Sequence, residues 1–166
     1  YIIREAASKD ALNKIQKFVI DILSKKGCDS LDNTHECISS NELNDFRLQV
    51  IKEINEEPWL REAYYHIAKP YLDVLVGNEL AMQLRVNFSI QLPEDSSSLL
   101  PVHADTWSGD SPFEVVVWLP LVDCFNTKSM YLLPPNVAGN LSNDFKLYAQ
   151  GNSEELFNTI KNDVSW

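Results

Sequence analysis

An imidazole and a carboxylate stand two residues apart in the run Pro101-Val102-His103-Ala104-Asp105. In a strand, side chains two apart share a side, so His103 and Asp105 would converge on one point, as ligands of a shared metal must. Two such donors and one further histidine make the facial triad of non-haem Fe(II) sites, which keeps positions open for cosubstrate and oxygen. On its own His-x-Asp is a weak signal, because a surface histidine beside an aspartate has the same spelling. A second set of chemical groups lies upstream. Gln83, Arg85, Asn87, Ser89 and Gln91 alternate with Met82, Leu84, Val86, Phe88, Ile90 and Leu92. A solvated face in an acidic protein is expected to carry Glu or Lys. This one offers neutral hydrogen-bonding groups and a single cation, a set suited to a polar cavity for a small anion, since arginine grips a carboxylate with two parallel N–H groups.

The elements that must position these groups follow from apolar spacing. Leu12, Ile15, Val19, Ile22 and Leu23 recur at helical intervals after a candidate cap at Ser8, and Gly27 stands where a helix-ending glycine belongs. Residues 28–40 read as a polar surface loop. Leu43, Phe46, Val50 and Ile54 form a second stripe. A third helix enters at Pro58, with Trp59, Leu60, Ala63, Tyr64, Ile67, Tyr71 and Leu75 inward, a kink or split at Pro70 and an end at Gly77. From Ala81 the period shortens to two, predicting a strand to Leu92 with one apolar face. Phe113 to Leu121, through Val115-Val116-Val117-Trp118-Leu119, predicts a strand buried on both faces, and Ser129 to Leu133 a third. Ser153-Glu154-Glu155 opens a short helix through Ile160. Helices followed by strands predict one α+β domain over residues 1–166.

The succession around His103 and Asp105 carries more than the pair alone. A polar-faced strand and the Ser96-Ser97-Ser98 loop precede it. Thr106-Trp107, then Trp118-Leu119-Pro120-Leu121-Val122-Asp123, then Asn126 to Pro134 follow it. Over about residues 80–135 this order resembles the phytanoyl-CoA dioxygenase-like branch of the Fe(II)/2-oxoglutarate-dependent oxygenases, especially members from carbohydrate-biosynthesis gene clusters. The resemblance implies N-terminal helices (1–79) on a partial double-stranded β-helix, a cupin-like jelly roll (80–166), lacking its last strands. It implies His103 and Asp105 as iron ligands, and Gln83, Arg85, Asn87 and Trp118 around 2-oxoglutarate, with Trp107 bordering the substrate entrance. It implies a hydroxylase-type reaction on a small or carbohydrate-linked substrate. The family's third ligand is a later histidine followed by an arginine, whereas this chain has His35, His66 and His103 alone and no arginine beyond Arg85. The chain opens on Tyr1 and stops at Trp166, where an apolar stretch begins, so it is read as a fragment, the alternative being a degenerate member of the family. The rival reading is a non-catalytic jelly-roll module that binds a sugar or small acid without iron.

Composition sets the bounds. The chain has 166 residues, 45% of them hydrophobic, with 24 acidic against 14 basic side chains and a net charge of −10. That balance disfavours phosphate backbones and anionic membranes, and no apolar run reaches the ~18–20 residues that span a bilayer. Cys28, Cys37 and Cys124 are odd in number and form no CxxC pair, which predicts reduced thiols and a cytoplasmic protein. Zinc at Cys28, His35 and Cys37 lacks a fourth ligand at usable spacing. Cys124 reads as a packed thiol, and His66 as the solvated partner of Glu62. A jelly roll missing later strands would expose strand edges, so a homo-oligomer joined through the open β core, near 81–92 or 113–133, is expected.

Overall fold

Helix register follows the apolar stripes closely. The computed structural model describes residues 2–95, 103–107 and 110–147. The chain separates into two units, one of residues up to 98 together with 119–123, the other of 99–118 together with 124 onward. The serine loop 96–98, Pro101-Val102 and the helix expected from 153 lie outside the described residues.

In the first unit, the Ser8 hydroxyl accepts the Ala11 N–H at 3.2 Å and caps α1 (Lys9–Ser24). Ile15, Val19, Ile22 and Leu23 of its stripe are buried. The chain leaves through Gly27 at φ +92°, a conformation that costs glycine nothing. Leu43, Phe46, Val50 and Ile54 are all buried on α3 (Leu43–Asn55). Ahead of α3, the Ser39 hydroxyl donates to the Glu42 carboxylate at 2.6 Å, holding that carboxyl below its usual range.

The fourth helix, α4 (Leu60–Leu75), buries Leu60, Ile67 and Ala68, while Leu75 at its end is exposed. Pro58 sits in the turn just before it. Pro70 neither splits nor ends α4. A proline removes one N–H and pushes against the carbonyl four residues back, which tips nearby carbonyls outward. The Ile67 carbonyl accepts the Ala7 N–H at 2.9 Å, and the Tyr71 hydroxyl donates to the Glu5 carbonyl at 3.0 Å. The segment before α1 is thereby latched to α4 at its proline.

The stretch expected to be a plain loop holds a 3-10 turn (Leu31–Asn33) and a single-turn helix, α2 (Thr34–Cys37). It also holds a disulfide between Cys28 and Cys37, with Cα atoms 6.0 Å apart. The expectation of reduced thiols is corrected for these two residues, and with it goes the cysteine argument for a reducing compartment. Spacing gave no hint, because nine intervening steps match no short motif and only the turn and helix return Cys37 to Cys28. Cys124 is exposed, against the expectation of a packed thiol. Among the described residues, no helix is long and apolar enough to cross a membrane.

The predicted jelly roll is not there. Among the described residues no sheet forms, and the fold is helical rather than α+β. Residues 81–92 run outside any strand, with a bend at Leu84 and Arg85. From Val86 the alternation is nonetheless real: Val86, Phe88, Ile90 and Leu92 pack against the buried cluster, and Asn87, Ser89 and Gln91 face out. Period two reports one covered face, and a helical surface covers a face as well as a second sheet does. Side chains take over the role of a neighbouring strand. Asn55 bonds both the N–H and the carbonyl of Val86, and Arg61 donates to the Met82 carbonyl at 3.0 Å. Leu119 and Leu121 add to the same core, and the Gln16 amide donates to the Leu121 carbonyl at 2.9 Å.

The second unit differs more sharply from expectation. Phe113, Val115, Val116 and Trp118 are exposed, as are Met130, Tyr131, Leu132 and Leu133. The run expected to be buried on both faces is exposed at Phe113, Val115, Val116 and Trp118 and half-buried at Val117, Leu119 and Leu121. Among the described residues of this unit, the ladder contact is an isolated antiparallel bridge between Phe125 and Lys128, around a turn with Asn126 at φ +48°. A further helix, α5 (Pro135–Leu147), begins on a proline, whose missing N–H is an orphan in the first turn anyway.

Candidate functional site

Two groups of polar side chains stand out, one in each unit. The first is built on α3 and the extended segment that crosses it. Val86 is seated by the Asn55 amide, and Asn55 also reaches back to the Ile51 carbonyl at 2.7 Å. With Val86 inward, Arg85 and Asn87 turn outward, and Gln83 joins them before the bend. These three predicted residues do come together. They line one open cleft of about 480 Å³ with Arg47, Leu48, Ile51 and Val86.

Arg47 is the residue that sequence reasoning missed. It follows Phe46 on α3, at the margin of the buried stripe, where periodicity reports nothing about polar partners. Asn44, one turn earlier, accepts a hydrogen bond from the Arg47 guanidinium at 2.8 Å and holds it to the helix surface. The cleft therefore carries two guanidinium groups and two primary amides over an apolar wall. Such a surface donates hydrogen bonds in planar pairs and binds oxyanions.

The second group is the His-x-Asp pair. His103 Nε2 lies 3.6 Å from Asp105 Oδ1, both side chains being partly exposed. The two do converge, though by a different route from the one expected. Asp105 opens a 3-10 turn (Asp105–Trp107), and its carbonyl also accepts the Asp110 N–H at 3.3 Å. Neither residue lies in a strand: His103 precedes the turn that Asp105 opens. Trp118, expected beside the same ligand as Gln83, belongs to this unit and is 47% exposed.

A facial triad needs a third donor. Among the described residues, no three His, Cys, Asp or Glu side chains gather as a metal-binding group. His103 and Asp105 stand as a pair, with no third such side chain gathered beside them among the described residues. His66 pairs with Glu62 at 3.7 Å on the exposed side of α4, as its spacing predicts. His35 is exposed on α2, whose Cys37 is committed to the disulfide.

The chain was compared with family models, curated proteins and solved structures, and none of them matches it. Any functional reading rests on these two groups of residues.

Proposed function

We propose that the chain supplies the His-x-Asp arm of an Fe(II)/2-oxoglutarate-dependent oxygenase of hydroxylase type, acting on a small or carbohydrate-linked substrate. The observation that carries this reading is the 3.6 Å approach of His103 Nε2 to Asp105 Oδ1, an imidazole nitrogen and a carboxylate oxygen, donor types that non-haem iron takes. Within the first unit, Gln83, Arg85 and Asn87, which line one cleft, are the proposed binders of a small anion. The donor set described is incomplete, so no chemical step is assigned to the chain's own residues.

Manganese(II) is a suitable probe, because its paramagnetism broadens nearby nuclear resonances. Titration of the labelled chain is expected to broaden His103 and Asp105 signals first, with weak affinity. His103→Ala and Asp105→Ala should each abolish that local effect. Broadening confined to other carboxylates, or unchanged in both variants, would sink the reading.

A metal-free binding role is the second reading. The open cleft favours it, since Gln83, Arg85 and Asn87 meet there independently of His103.

A further inference from the structure

We infer that the extended segment from Val86 to Leu92 is an open strand edge, which pairs antiparallel with the same segment of a second copy of this chain. The two copies meet about a two-fold axis at Ser89. The inference goes beyond both functional readings above and depends on neither.

Geometry is the first argument. The N–H and the carbonyl of Val86 both turn toward Asn55. In an extended chain these groups alternate between the two edges, so Asn87, Ser89 and Gln91 turn theirs to the opposite edge. Among the described residues, no hydrogen bond engages the backbone of residues 87–91. Asn87, Ser89 and Gln91 are exposed, while Val86, Phe88, Ile90 and Leu92 hold the segment on the helical core. Proteins usually blunt such an edge with a charge, a proline or a bulge. Val86 to Leu92 carries neither charge nor proline. A row of unpaired backbone groups, held in place by its inner face, is what a partner strand adds to.

Charge selects the partner. Two chains of net −10 repel, and a stretch without charge is where they can approach. Arg85 stands just before that stretch and Glu94 just after it. Antiparallel pairing sets Arg85 beside Glu94 of the second copy, whereas parallel pairing would set like beside like. An exposed pair of this kind gives orientation more than affinity.

The covered face then fixes the register. A slip by one residue would set covered side chains of one copy against uncovered ones of the other. Ser89 is the midpoint, so an axis there pairs the whole segment. Asn87 lies opposite Gln91 of the second copy, and Phe88 opposite Ile90 of the second copy. A contact this short buries less than the ~1,200 Å² of a stable interface. A second contact is therefore needed, and exposed side chains such as Phe113 and Tyr131 are available to make it.

The test uses the full chain carrying Cys124→Ser, which leaves only the bonded Cys28 and Cys37. Cysteines are then introduced singly and oxidised mildly at micromolar concentration. Ser89→Cys should cross-link to a dimer, because opposite Cα atoms lie within about 5.5 Å, in disulfide range. Asn87→Cys alone and Gln91→Cys alone should not, their copies being ~13 Å apart along the strand. An equal mixture of those two should cross-link. Lys17→Cys, on the exposed side of α1, is the background rate.

Ser89→Pro removes an N–H that no described residue accepts, and the symmetry removes it twice per dimer. Sedimentation should show association weakened by at least about tenfold, while Ser89→Ala, which keeps the N–H, leaves it unchanged. Cross-linking of Ser89→Cys at the background rate, a mixture no better than its components, or full association of folded Ser89→Pro would overturn the pairing. A wild type that sediments as a single chain would overturn it as well. His103→Ala should leave every one of these readouts unmoved.

Discussion

Asn55 treats Val86 as a strand would. Its Nδ2 donates to the Val86 carbonyl at 2.9 Å, and its Oδ1 accepts the Val86 N–H at 2.8 Å. One side chain thereby satisfies both polar groups of a residue whose own side chain packs on the helical core. Replacing it by Ala leaves a part-buried donor and acceptor without partners, at a cost of about 1–3 kcal/mol. Denaturant unfolding of Asn55→Ala should show that loss. Hydrogen exchange at the Val86 amide should accelerate by more than the global stability change explains. Unchanged protection there would mean that packing of Val86 and Phe88 alone holds the segment.

The core makes a sharper contrast. Leu60 is 1% exposed and Leu132 62% exposed. Leu60→Ala is predicted to cost about 2–5 kcal/mol, through lost burial plus a cavity. Leu132→Ala should stay within about 0.5 kcal/mol when measured on dilute chain.

The disulfide closes a short loop, from Cys28 to Cys37. Cross-linking a loop of this length is worth about 2–3 kcal/mol through the entropy of the unfolded chain. The double variant Cys28→Ser/Cys37→Ser should lose that amount in denaturant unfolding, and the wild type should lose it on reduction. Intact-mass measurement without reductant reads the bond directly, and a mass two hydrogens heavier would remove it.

Glu42 gives a direction for acid sensitivity. Its carboxyl is held low by the Ser39 hydroxyl first, then by the Ser39 N–H, with a smaller contribution from Lys26. A depressed carboxyl stabilises the fold above its unfolded pKa, and that contribution fades as pH falls through the folded value. Ser39→Ala should flatten the dependence of stability on pH over this acidic range, with little effect on its shape near neutrality. A parallel loss at every pH would place the Ser39 contribution in the turn backbone instead.

The second unit exposes Phe113 at 91%, Val116 at 62% and Tyr131 at 76%. Apolar area of this extent is commonly covered by a partner, and a second copy of the chain is the expected one. Light scattering at micromolar concentration should report a mass above the 18.9 kDa of one chain. Phe113→Ser with Tyr131→Ser should return it to a single chain. A wild type that stays monomeric contradicts self-association.

Helices were legible in the sequence because burial on a helix repeats locally. Ser8, Gly27 and the stripes of α1 and α3 mark their elements within a few residues. The sheet was misread for a physical reason. Alternation at Val86, Phe88 and Ile90 records which side is covered, and the cover is α3 and its neighbours, not a strand. Val115 to Trp118 misled further, since an apolar run is equally compatible with burial and with an uncovered surface. The pairing of Cys28 with Cys37 and the presence of Arg47 beside Arg85 depend on tertiary approach, which no local period encodes. His103 and Asp105 lie 3.6 Å apart, but not on the strand that their spacing predicted.

Pro70 has a consequence for the order of events during folding. The bonds it accompanies, Ala7 to Ile67 and Tyr71 to Glu5, join parts of the chain up to 66 positions apart. Contacts of such separation form after loop-closure entropy has been overcome by more local ones. Weakening this latch, as in Tyr71→Phe, should therefore speed unfolding and leave the refolding limb of a chevron almost unmoved. The seam between the start of the chain and α4 is then the part that sets how long the folded state survives, more than how quickly it is reached.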